Sequence, residues 1–130
     1  MRNLNDHVVE GDTAGQLVIT VTDEPGHSYV ISGFDTSTNA SDDSTGRALS
    51  GAKRMTVLFQ NGPIKEVGVN GVTQEALLAI VIDRLRSFQA GPFASPFNAS
   101  ALDHCSQALV DLQRRTRDRI ARGVEGVTRA

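Results

Sequence analysis

Apolar and polar residues alternate through the first half of the chain. Leu17, Ile19 and Val21 are interleaved with Val18, Thr20 and Thr22, and Tyr29-Val30-Ile31 follows the turn-like Asp23-Glu24-Pro25-Gly26. A period of two on either side of turn residues predicts a β-hairpin. Met55-Thr56-Val57-Leu58-Phe59 predicts a further strand, and Gln60-Asn61-Gly62-Pro63 supplies turn chemistry. Ile64 to Val69 is then expected to form another strand before Asn70-Gly71, which makes three or four antiparallel strands in all. Residues 1 to 15 are polar and turn-rich and are expected to be a loosely held leader. Residues 35 to 54 are mostly Ser, Thr, Asp, Asn and Gly, a polar loop with little to bury.

At Thr73 the period changes from 2 to about 3.6. Thr73 is a good N-cap, and Glu75 favours the positive end of the helix dipole. Leu77, Ile80, Val81, Leu85 and Phe88 form the expected apolar stripe of a helix reaching Gln89, with Asp83, Arg84 and Arg86 off it. Ala90-Gly91-Pro92 stops that helix. Ser95-Pro96 reads as an N-cap followed by proline at the first helical position, with Asn98 as the competing cap. The second helix carries Leu102, Cys105, Leu109, Leu112 and Ile120 and closes at Arg122-Gly123. The fold class predicted is α+β: a small antiparallel β-sheet over residues 1 to 72, then a C-terminal antiparallel αα-hairpin over residues 73 to 130. Sheet and hairpin are expected to pack as one unit, because 130 residues suit one shared core. No internal repeat is visible.

Charge narrows the function classes. The formal net charge is -2, which argues against a polynucleotide or membrane-surface binder relying on a broad basic face. Its distribution is uneven: residues 1 to 70 sum to -4 and residues 71 to 130 to +2. A single cysteine, Cys105, gives no intramolecular disulfide, and a reducing cytoplasm fits. No export segment or run of about 18 apolar residues is expected to take the chain out of that compartment or across a membrane. His7, His27 and His104 lie in unrelated contexts without ligand spacing, so no metal and no cofactor is expected. Cys105 falls on an apolar helix stripe, which favours a small buried hydrophobe over a reactive thiol. No nucleophile, phosphate-loop or paired-carboxylate arrangement is present, and no catalytic residue is nominated.

Two constellations could hold a ligand. Phe88, Phe93 and Phe97 surround Gly91-Pro92 beside Asn98. Aromatic faces stack bases and an amide can read a base edge or a ribose; equally, the rings could seal the end of the hairpin. Arg114, Arg115, Arg117, Arg119 and Arg122 crowd the end of the second helix. Arg115 and Arg119 share a face, four residues apart, and guanidinium forks suit phosphates, although basic residues also favour the negative end of a helix dipole as a solvated terminus.

Several words of the sequence resemble a known family. Phe59-Gln60-Asn61-Gly62-Pro63 continuing through Val69-Asn70-Gly71-Val72-Thr73 to Leu78, then Phe88-Gln89-Ala90-Gly91-Pro92-Phe93, then Arg114-Arg115-Thr116-Arg117-Asp118-Arg119 to Gly126, resemble the type-one Thoeris anti-defence proteins of bacteriophages over residues 56 to 126. The helical part is also similar to the hairpin domain of phage anti-CBASS sponge proteins. The resemblance implies a non-enzymatic sponge working in the cytoplasm of an infected bacterium. It would sequester glyco-cyclic ADP-ribose, and in some members cyclic di- or trinucleotides, without cleaving them. It assigns the signal to Phe88 and Asn98, beside Gly91, Pro92 and Phe93, and cyclic trinucleotides to Arg115 and Arg119. One departure stands out: many relatives have Cys-Arg-Glu-Asn where this chain has Ser95-Pro96-Phe97-Asn98, so an arginine and an acid are missing beside the asparagine. A hairpin with a small sheet offers no deep cleft of its own, so a homodimer or a trimer of dimers is expected to build the pocket between chains. The competing reading is a phage structural or assembly protein that oligomerises through its hairpin.

Overall fold

The computed structural model describes residues 1–12, 17–41 and 51–123. Elements follow in the order β1 (Arg2–Leu4), β2 (Val18–Val21), β3 (Ser28–Ser32), a 3-10 turn (Thr36–Thr38), β4 (Arg54–Leu58), α1 (Ile64–Val67), α2 (Gln74–Gln89) and α3 (Pro96–Ala121). The chain divides into two compact units, Met1–Phe59 and Gln60–Ala130. The α+β class and the helical hairpin predicted from periodicity are both present.

The first unit is a four-stranded antiparallel sheet in the order β1-β2-β3-β4. Register places Leu4, Ile19, Ile31 and Met55 in one cross-strand row, and Val21, Tyr29 and Val57 in the next row on the same face. Val21 is 1% exposed and is the centre of this unit's core. The ring of Phe59 meets Tyr29 edge to face at 5.7 Å. The opposite face carries Asn3, Thr20 and Thr56, and Thr20 donates its hydroxyl to Asn3 Oδ1 at 3.2 Å. The predicted hairpin is therefore β2–β3, and its turn is held by Asp23, whose Oδ1 accepts from the backbone N–H groups of His27 and Ser28.

Two expectations for this half are corrected. Residues 2 to 4 are not a loose leader: β1 pairs with β2, because Leu4 brings an apolar side chain opposite Ile19, and His7 Nε2 lies 2.7 Å from the Leu17 carbonyl. Residues 13–16 lie outside the described residues. The polar loop begins as expected, but its start is ordered: Asp35 caps the 3-10 turn, and Thr36 exchanges hydrogen bonds with Ala52. Arg54 already belongs to β4; residues 42–50 lie outside the described residues.

The largest correction concerns Ile64 to Val69, which form no strand. Ile64–Val67 is the short helix α1, opened by Pro63 at φ -67° and closed by Gly68 at φ 76°. A strand there would need ladder partners, and side-chain amides have taken their place. Gln60 Nε2 donates to the carbonyls of Gly62 and Gly68, Gln60 Oε1 accepts from Asn70 N–H, and the Asn70 amide both donates to and accepts from the Asn61 backbone. Gly62 sits at φ 98°, and a β-carbon there would stand 3.0 Å from Val67 Cγ2, so only glycine suits this turn.

The helices start where the capping signals placed them. Thr73 Oγ1 accepts from Ala76 N–H at 3.1 Å, and Ser95 Oγ accepts from Asn98 N–H at 3.0 Å with Pro96 following. Ser95 thus wins over Asn98 as the cap. Arg122 ends α3, and Gly123 has φ 70°. α2 and α3 pack against each other. The stripe on α2 is corrected: Ile80 and Val81 are 65% and 45% exposed, whereas Ile82, four residues from Leu78 and three from Leu85, is 3% exposed. Ile120, expected on the α3 stripe, is 60% exposed. Helix α2 is apolar on more than one side, and periodicity alone could not say which side meets α3.

Candidate ligand-binding cleft

At the turn of the hairpin, the last residues of α2 and the loop after it form a cleft of about 200 Å³ lined by Arg84, Ser87, Phe88, Gly91, Pro92 and Phe93. Four of the seven site residues read from the sequence, Phe88, Gly91, Pro92 and Phe93, are thus brought together. The loop geometry follows from how α2 ends. Ala90 N–H still reaches the Arg86 carbonyl, Gly91 N–H turns back to Phe88 O at 3.2 Å, and Gln89 Oε1 accepts from Ser95 N–H at 3.1 Å, tying both helix ends across the loop. Phe88 is half-buried; Phe93 is 73% exposed, and Phe97 in the first turn of α3 is 86% exposed.

Asn98 sits one position beyond Phe97 and does not line the cleft. Its backbone N–H is used by the Ser95 cap, while among the described residues its half-buried side-chain amide makes no hydrogen bond. Arg115 and Arg119 lie on α3, 17 and 21 residues after Asn98; at about 1.5 Å per residue that is roughly 25 to 30 Å along the helix. Within one chain they are not part of this cleft. In the same cluster, Arg122 Nε pairs with Asp118 at 3.0 Å and Arg114 approaches Asp111 at 4.0 Å, both on exposed surface where such pairs contribute about 0 to 1 kcal/mol.

Sequence reasoning missed Arg84 and Ser87. The Arg84 guanidinium lies 4.8 Å from the centroid of the Phe88 ring, and Ser87 Oγ donates to the Asp83 carbonyl at 3.2 Å. The signal was in the spacing: Arg84 is four residues before Phe88, so on a helix the two are neighbours. Arg84 is the one charged residue of the lining. Cys105 is half-buried and His104 exposed, both on α3. No cluster of metal-ligating side chains exists among the described residues, and no helix among them is long and apolar enough to cross a membrane. The carboxyl groups held below their ordinary range lie in the first unit. Asp23 is lowered chiefly by the Ser28 N–H, with help from His27, and Asp35 chiefly by the Ser37 N–H.

Fold and cleft define the class: an α+β chain whose helical hairpin carries an aromatic cleft at its turn. The Acb2/Tad1 hairpin domain matches residues 52–117, and the chain belongs to that family. It is 49% identical over 74 residues to "Thoeris anti-defense 1" of Bacillus phage SBSphiJ7, a match covering 57% of this chain and 52% of the relative. The chain thus spans about half the length of that curated relative. The resemblance read from the sequence is borne out by both comparisons.

Proposed function

We propose that this protein is a phage anti-defence sponge that binds glyco-cyclic ADP-ribose immune signals, keeps them from the Thoeris effector and does not cleave them. It would act in the cytoplasm of the infected bacterium. The observation that carries this reading is the cleft at the hairpin turn, where Phe88 offers a fixed ring for a base and Phe93 an exposed one beside Gly91-Pro92. The Asn98 amide, outside that lining, would read a ribose or base edge. Family membership and the name of the phage relative support the anti-defence role. Non-cleavage is supported by the lining, which contains no carboxylate or imidazole to take a proton, and by Ser87, whose hydroxyl is directed back to its own helix.

Arg115 and Arg119 form a second site for cyclic trinucleotides in this reading, completed by other copies of the chain because one chain sets them far from the cleft. Apolar residues left open on the helices, Ile80 and Val81 above all, support a homodimer or a trimer of dimers. Neither polynucleotide nor membrane has a role.

Calorimetric titration with glyco-cyclic ADP-ribose isomers and cyclic trinucleotides tests the proposal, followed by heat release and analysis of the ligand. Binding with intact ligand recovered is expected, weakened about 5- to 150-fold by Phe88→Ala or Asn98→Ala, as loss of a stacking ring or a polar contact worth about 1 to 3 kcal/mol implies. A folded oligomer that ignores every ligand would favour the assembly reading instead.

A further inference from the structure

The Arg84 Cζ lies over the Phe88 ring, 4.8 Å from its centroid, a cation–π distance, and a guanidinium carries five N–H donors. Among the described residues Arg84 has no carboxylate partner and no hydrogen bond, so those donors are unspent. Its lining neighbours Ser87, Phe88, Gly91, Pro92 and Phe93 carry no charge, so nothing in the cleft neutralises it. Holding the fork on the ring also removes part of the rotamer freedom that a long side chain loses on binding.

We infer that Arg84 is the anion-binding residue of the cleft: it engages the phosphate of a ligand whose base stacks beside it at Phe88, and so selects phosphorylated nucleosides over neutral ones. This rests on the reading of the cleft as a nucleotide-signal site. A nucleotide carries its phosphate one ribose away from its base, and here the stacking ring and the cation are one helical turn apart. Phe88 supplies sequence-tolerant stacking, while Arg84 supplies charge-assisted hydrogen bonds. Because the two touch, a ligand meets both at once.

The test compares wild type, Arg84→Leu and Arg84→Lys with two probes: glyco-cyclic ADP-ribose by calorimetry at low and high salt, and unphosphorylated adenosine by NMR shift titration. Arg84 is exposed, so the variants should keep the wild-type melting temperature. Arg84→Leu should weaken glyco-cyclic ADP-ribose by about 10- to 100-fold, the range for a hydrogen bond to a charged group. It should also flatten the salt dependence and leave the adenosine shifts unchanged. Arg84→Lys should recover part of the affinity and the salt dependence, but not all, because the fork is lost. Wild-type affinity and an unaltered salt dependence in Arg84→Leu would overturn the assignment of Arg84 and leave the sponge reading standing. Equal weakening for adenosine would also overturn it, showing that Arg84 merely supports the ring. If the wild type ignores glyco-cyclic ADP-ribose, the sponge reading falls and this inference with it.

Discussion

Single side chains control local order in both units, and Asp23 does so with charge. Its carboxylate clamps two backbone N–H groups of the β2–β3 turn, that of Ser28 most strongly, and its pKa lies below the ordinary 3.8. A depressed carboxyl pKa contributes stability that is fully present above the unfolded value and is lost as pH falls through the folded one. The melting temperature of wild type should therefore exceed that of Asp23→Ala throughout the neutral range. The gap should close as pH drops below about 3.8, which thermal melts from pH 7 down to about pH 2.5 would read. A gap that persists at the acid end would mean that the carboxylate's charge is not what holds the turn. In the cleft, the residue scale separates two groups. Phe88, Gly91, Pro92 and Phe93 were legible because aromatic and helix-breaking residues mark themselves, whereas Arg84 stood out only as a residue off the apolar stripe. Its role depends on a neighbour four positions away and not on its own type.

Among the elements, α2 teaches most. Thr73 and Ser95 set the helix starts through capping hydrogen bonds that residue type foretells, and Gln89 adds a tie across the loop. Which side of α2 is buried depends on α3, and there Ile82 is covered while Ile80 is not. Ile82→Ala should destabilise the protein by about 2 to 5 kcal/mol, the range for deleting a core aliphatic side chain. Ile80→Ala, measured by denaturant unfolding at a protein concentration low enough to dissociate oligomers, should cost under about 1 kcal/mol. Similar losses at both positions would show that the assignment of faces is wrong. The stretch from Gln60 to Asn70 shows the converse. Ile64, Val67 and Val69 look like strand residues, but a strand needs a neighbour. The amides of Gln60 and Asn70 satisfy this backbone locally and favour the helical turn α1.

For the whole molecule, the small core is the governing fact: among the described residues only Val21 and Ile82 are buried hydrophobics, while Ile80, Val81, Val110 and Ile120 remain between 45% and 65% exposed. Fully burying such a side chain contributes about 1.5 to 3 kcal/mol, so covering the exposed half contributes less, and this is the contact the proposed homo-oligomer would use. Replacing Ile80 and Val81 together by Lys should reduce the assembly by at least one step in sedimentation velocity, with the helical circular dichroism retained. An unchanged sedimentation coefficient would remove the α2 face as the contact between copies.

By itself the sequence determined the α+β class, the β2–β3 hairpin, β4, both long helices with their caps, the family, and the ring-bearing turn where the cleft lies. The family rests on resemblance; the others rest on interactions within a few residues: alternation, capping hydroxyls, proline and glycine punctuation. Tertiary structure alone decided that β1 joins the sheet, that α1 is a helix, and that Ile82 and not Ile80 is covered. Those outcomes depend on which partner a backbone or side chain meets once the chain has folded, and a local pattern compatible with several partners cannot choose among them.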